Sequence, residues 1–181
     1  MMASLPPICK RGMAIGSLPL PLFRFPLYSG TTANEPLTSL ERNMPLQWDP
    51  AWNIGIEVID TQHQRWVEIF NALERSFLQG ESMFDMQLAA FKEMLDYTHF
   101  HFDAEEKLMA DSGYPAFSSH RRLHKDFDTL IYSHFRRHES GEAMLTSEML
   151  QMMRNWLIAH IQSEDQKIAV FLASEGKAGN Q

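Results

Sequence analysis

The feature that most limits how this chain can fold is a set of histidines and carboxylates recurring at helical spacing inside apolar stripes. His101 and Glu105 are four residues apart, and so are His120 and His124. Side chains four apart on a helix project from one face, so each pair can share a metal. His63 lies upstream of these pairs; His160 and Asp165 lie downstream. Imidazole nitrogen with carboxylate oxygen suits iron, manganese or zinc, and the single cysteine, Cys9, supplies no competing thiolate set. The pattern predicts a metal site inside a helix bundle.

Four helices are expected from Thr61 onward. The first spans 61–79, with Asp60 as N-cap, Gly80 as stop, and a stripe that includes Ile59, His63, Trp66, Phe70, Leu73 and Phe77. The second spans 83–111, with Ser82 and Asp85 at capping-box spacing and Gly113 and Pro115 ending it. Its stripe carries Leu88, Phe91, Leu95, Thr98, His101, Glu105 and Leu108. The third, 117–138, buries His120, His124, Phe127 and Ile131 before Gly141 breaks it. The fourth, 147–174, follows Thr146 as N-cap and aligns Leu150, Met153, Leu157, His160, Glu164 and Ile168.

Short connections make neighbouring helices antiparallel, so the predicted fold is an all-α, up-down-up-down four-helix bundle. There, the start of the first helix lies beside the end of the second, the start of the third and the end of the fourth. His63, His101, Glu105, His120, His124, His160 and Asp165 occupy those ends. All seven are therefore expected at one level of the bundle, a constraint that scattered core residues have no reason to meet.

Residues 1–43 hold six of the nine prolines and no histidine, and are expected to form a disordered or irregular extension ahead of a 44–181 bundle domain. Pro19 and Pro21 interrupt the most apolar stretch, which makes a poor signal-peptide core, and no A-x-A site follows. Met44 opens Met-Pro-Leu-Gln-Trp where the ordered pattern begins, and is a candidate translation start. With 181 residues and 44% hydrophobic content, the chain can bury one core. A net charge of −7 argues against nucleic acid as partner. No uncharged apolar run approaches the roughly 20 residues that span a bilayer. One cysteine fits a reducing compartment, so a soluble, cytoplasmic protein is expected, and the lack of a clear heptad or exposed apolar stripe makes a monomer the expectation.

Several stretches together resemble a known family, the single-domain bacterial hemerythrins. They are Trp48 with Gly55-Ile-Glu-Val-Ile-Asp60 leading into His63; Tyr97 to Met109 (YTHFHFDAEEKLM); His120-Arg-Arg-Leu-His124; and Trp156-Leu-Ile-Ala-His160 followed by Asp165. The resemblance covers about residues 46–172 and fills all seven ligand positions of that family. It implies a non-haem di-iron centre, oxo- or hydroxo-bridged, that binds O2 reversibly. By resemblance, His120, His124 and His160 hold one iron, His63 and His101 hold the other, and Glu105 and Asp165 bridge them. The second iron is then one ligand short, and O2 binds there. Trp66, Phe102, Trp156, Leu157 and Ile161 are expected to line a dry pocket around it. The five-residue step from His160 to Asp165 puts them about 140° apart on an ideal helix, so spacing alone does not pair them.

The implied role is an oxygen carrier, store or delivery protein, not an enzyme, with an oxygen-consuming enzyme as a possible recipient. A di-iron oxidase or peroxidase, or an O2 or redox sensor, is the alternative. Five histidines to two carboxylates favour the carrier, since ferritin-like oxidases use carboxylate-rich sets. His99, His134 and His138 are left without a role, and Glu106 is expected in solvent or behind a ligand. His138 returns to the His120 face eighteen residues on, roughly 27 Å along the helix, beyond reach of the same metals.

Overall fold

The computed structural model describes residues 45–79 and 83–176, and every helix and turn below lies among them. The readings made for residues 1–43, Met44, Gly80 and Ser82 fall outside this range. An extended strap, with a 3₁₀ turn at Pro50–Trp52, leads into α1 (Glu57–Leu78). The strap is pinned along α1 by Asn71, which accepts the Leu46 N–H at 2.7 Å and donates to the Leu46 carbonyl at 2.9 Å.

Helix α1 starts four residues earlier than expected, after Ile56, and Asp60 is not its N-cap. The Asp60 carboxylate instead accepts the main-chain N–H groups of Ile54 at 2.7 Å and Gly55 at 3.0 Å, across a turn where Gly55 has φ 82°. Only glycine enters that left-handed region without strain. The acid still serves the helix start, both by its charge near the positive end of the helix and by holding the incoming strap.

Helix α2 (Phe84–Ser112) begins after Met83 without a side-chain cap, so Asp85 contributes only charge to its first turn. It ends as expected at Gly113, φ 73°, where the Tyr114 N–H reaches back to the Met109 carbonyl at 2.9 Å. Helix α3 (Phe117–Glu139) follows after a short turn and ends before Gly141. Helix α4 (Ser147–His160) is capped by Thr146, whose hydroxyl accepts the Met149 N–H at 3.3 Å.

The expected single fourth helix is not uniform. After His160 the backbone widens into a π turn, Ile161–Asp165, before resuming as α5 (Gln166–Ser174). A π turn inserts an extra residue, so every later side chain is rotated relative to the α-helical register. Glu164, expected inside, is therefore only half-buried and pairs with Lys167 at 2.7 Å, while Asp165 takes the interior place.

The result is the four-helix bundle, with no strand among the described residues. Its apolar interior falls into two clusters. The larger includes Phe70, Leu73, Phe91, Ile131 and Met153; the smaller includes Ile59, Leu108, Met109 and Ile168. Burying a side chain of this size fully is worth roughly 1.5–3 kcal/mol. On α1, α2 and the fourth-helix segment the candidate ligands fall between residues of the two clusters, so apolar packing closes the site above and below. No described helix is long and apolar enough to cross a membrane.

Candidate metal centre

The first halves of α1 and α3, the second half of α2 and the α4/π junction bring all seven candidate side chains together. None is more than 4% exposed. Glu105, His120, His124 and His160 form one group, and His63, His101, Glu105 and Asp165 form a second. Within each group one ligand atom per residue lies within 4.8 Å of all the others. Glu105 belongs to both. Asp165 also faces both, with Oδ2 3.1 Å from His63 Nε2 and Oδ1 3.1 Å from His160 Nε2.

The π turn is what allows this. It brings Asp165 onto the His160 face despite the five-residue spacing, which an unbroken α-helix would leave on different sides.

His124 Nε2 lies 3.0 Å from both His120 Nε2 and His160 Nε2. Two ligands at right angles around a cation, each about 2.1 Å from it, are about 3.0 Å apart. A neutral imidazole has one N–H and one acceptor nitrogen, so three rings converging on one point do not satisfy one another by hydrogen bonds. The second group shows the same property. His63 Nε2, His101 Nε2, Glu105 Oε1 and both Asp165 oxygens are buried without a hydrogen-bond partner. His63 and Asp165 come within 3.1 Å yet lack hydrogen-bond alignment, so their lone pairs aim between the residues instead of at one another. Orphaned buried polar atoms are costly and rare, and a cation between them removes the cost. The donor set therefore fits a pair of metal ions.

The electrostatics suit cation binding. Burial and the neighbouring His63 push the His101 imidazole down to about 3, so that ring is neutral with its lone pair available. Burial and the charge of Asp165 push the Glu105 carboxyl up, but its close contacts with the His120, His124 and His101 imidazoles outweigh them and hold it at about 2. Asp165 is pushed up by burial and held well below the usual range by His160 and His63. Burial lowers His124; in His120 burial also pushes down, but the bond to Glu105 and the charges of Glu105, Asp165 and Glu164 together outweigh it and raise the ring. Both carboxylates are thus anionic in the interior.

Around this set, Phe102 stacks on the His124 ring at 3.8 Å and 6°, and Trp156 stacks on His160 at 4.3 Å and 13°. Trp66 sits 4.9 Å from the His101 ring and donates its indole N–H to Thr98 Oγ1 at 3.1 Å. Leu157 and Ile161 are fully buried in the same apolar cluster.

The sequence named no partners for several contacts around the candidate ligands, although it allowed Glu106 a place behind one of them. Gln62 Oε1 lies 3.0 Å from His101 Nδ1, Glu106 Oε1 lies 3.2 Å from His124 Nδ1, and Trp48 stacks near His63 at 6.4 Å. The first two join residues on different helices, for which helical spacing carries no signal. Their only hint is position, Gln62 beside His63 and Glu106 beside Glu105. The structure leaves the other histidines outside the centre. His99 is exposed and pairs with Asp128, His134 is half-buried on α3, and His138 is buried against Phe84 far along α3.

Comparison with known proteins agrees with this architecture. Residues 54–172 match the hemerythrin HHE cation binding domain. A bacteriohemerythrin of Stenotrophomonas maltophilia is 38% identical over 128 residues, 68% of this chain and 79% of that protein. One from Pseudomonas aeruginosa is 35% identical over 120 residues, 66% and 76% respectively. The crystal structure of a wild-type hemerythrin superposes with a TM-score of 0.67 at 23% identity, covering 71% of this chain and 98% of that one. By the extent of the domain match and the identity to these relatives, the chain belongs to the hemerythrin family.

Proposed function

We propose that this protein binds O2 reversibly at a non-haem di-iron centre, as a carrier, store or delivery protein of the cytoplasm. His120, His124 and His160 would hold one iron, His63 and His101 the other, with Glu105 and Asp165 bridging. Held there, a ferrous pair would supply the two electrons that reversible O2 binding needs. The chain's residues set the conditions for that exchange.

The observation that carries the reading is the division of donors: three imidazoles on one side, two on the other, and two buried carboxylates facing both. Two nitrogens and two shared carboxylates leave the His63/His101 position short of a full set, which is where a diatomic ligand would enter. Phe102, Trp66 and Trp156, with Leu157 and Ile161, surround the ligand rings with apolar surface. Such surface excludes water and offers no proton to a departing oxygen species, which favours release of O2 over loss of a reduced product. The imidazole-rich set separates this centre from carboxylate-rich di-iron oxidases.

The test is a visible spectrum of iron-loaded protein through repeated cycles of air and argon. A colour that appears and bleaches reversibly, at two irons per chain, is the expected result. Irreversible oxidation at the first exposure would overturn the carrier reading.

A further inference from the structure

Two of the candidate ligand rings carry well-defined partners on their outer nitrogens, and the partners differ in charge. His124 Nδ1 meets Glu106 Oε1 at 3.2 Å, and the other oxygen of that carboxylate meets Arg121 Nε at 3.0 Å. His101 Nδ1 meets the neutral carboxamide of Gln62 at 3.0 Å. In both rings the inner nitrogen, Nε2, is the one directed into the centre. His124 Nε2 lies 3.1 Å from Glu105 Oε2, and His101 Nε2 is buried without a partner.

An acceptor on Nδ1 fixes the tautomer that keeps the proton outside and the Nε2 lone pair inside. A carboxylate does more than an amide, because a charge-assisted bond draws the Nδ1 proton outward and leaves the imidazole more electron-rich. Phe102, stacked flat on His124 at 3.8 Å, keeps that ring in the plane where both bonds form. Arg121 orients the carboxylate from the solvent side.

We propose that Glu106 is a positioning residue that makes His124 a stronger donor than His101, so that the three-histidine metal position is the more electron-rich of the two. This rests on the di-iron reading above. Glu106, one imidazole removed from the metal position, then sets how readily that position is oxidised.

The experiment uses the full chain loaded with iron and compares Glu106→Gln, Glu106→Ala and Glu164→Gln with the parent. The readouts are iron retention against a chelator and midpoint potential followed by visible absorption. Glu106→Gln keeps an acceptor of similar shape and removes the charge, so the midpoint potential should rise with the fold intact. Glu106→Ala also removes the acceptor, and iron retention should weaken about 10–100-fold. Glu164→Gln removes the same charge from a half-buried carboxylate that holds Lys167 instead of a ligand ring, and should shift the potential less. Equal shifts in Glu106→Gln and Glu164→Gln, or none in Glu106→Gln, would overturn the proposal while leaving the di-iron reading intact. A parent protein that never reaches two irons per chain would overturn both.

Discussion

Trp66 is the residue on which packing and chemistry meet most directly. It is fully buried, touches the His101 ring, and meets Phe102 edge-on at 5.5 Å and 90°. Its indole N–H is satisfied by Thr98, whose hydroxyl in turn donates to the Met94 carbonyl at 2.7 Å. Trp66→Phe should cost about 1 kcal/mol for the lost bond, while Trp66→Ala should cost about 3–5 kcal/mol through the cavity it leaves. Urea denaturation of the metal-free variants measures both, and equal losses would mean that the cavity collapses. His63 acts differently: His63→Ala removes one of only two imidazoles from its group. Iron content should fall towards one ion per chain with the reversible colour abolished; unchanged O2 binding would show that the two positions are assigned the wrong way round.

At the scale of elements, the π turn decides whether a site exists. His160 and Asp165 were legible in the sequence as candidates, yet their spacing pointed to different faces of an ideal helix. Only the widened turn aligns them, because the extra residue changes the register between α4 and α5. Deleting Ser163, exposed within this turn, should let the segment relax to an α-helix and rotate Asp165 away. The expected result is retained helicity by circular dichroism with iron binding largely lost; a deletion variant that still holds two irons would refute the role given to the turn. The start of α1 teaches a related lesson. Asp60 is an N-cap residue type, but its oxygens bind the strap at Ile54 and Gly55, a local turn contact that cap statistics do not describe. Asp60→Ala should cost roughly 1–2 kcal/mol in thermal stability.

For the whole molecule, the centre is both what the bundle holds and part of what holds the bundle. Without metal, two anionic carboxylates and several orphaned nitrogens stay buried, so metal-free protein should melt well below loaded protein. A metal present at a hundred times its dissociation constant adds about 2.7 kcal/mol, and calorimetry of loaded and stripped samples checks the direction. Acid should act in the same sense. The His101 ring is held at about 3 against an ordinary 6.5, so below 6.5 the unfolded chain binds a proton that the folded chain refuses. Glu105, held at about 2 against 4.5, extends that loss further into acid. His120, raised, has the opposite sign, its contribution fading as pH rises, but it is one group against His101, Glu105 and Asp165. The melting temperature of metal-free protein should therefore fall steadily below pH 6.5, and a rise on acidification would contradict these assignments.

The sequence by itself determined the helices, their antiparallel order and the level at which the seven side chains meet. These depend on apolar periodicity and short connections, which act along the chain. Tertiary structure alone decided which carboxylate turns inward at the fourth helix, what Asp60 binds, and that Gln62 and Glu106 stand behind the His101 and His124 rings. Those outcomes depend on a strap folded back over the start of α1, on contacts between helices at sequence separations of 18 and 39, and on a helical register that one extra residue resets, and none of these leaves a periodic trace in the sequence.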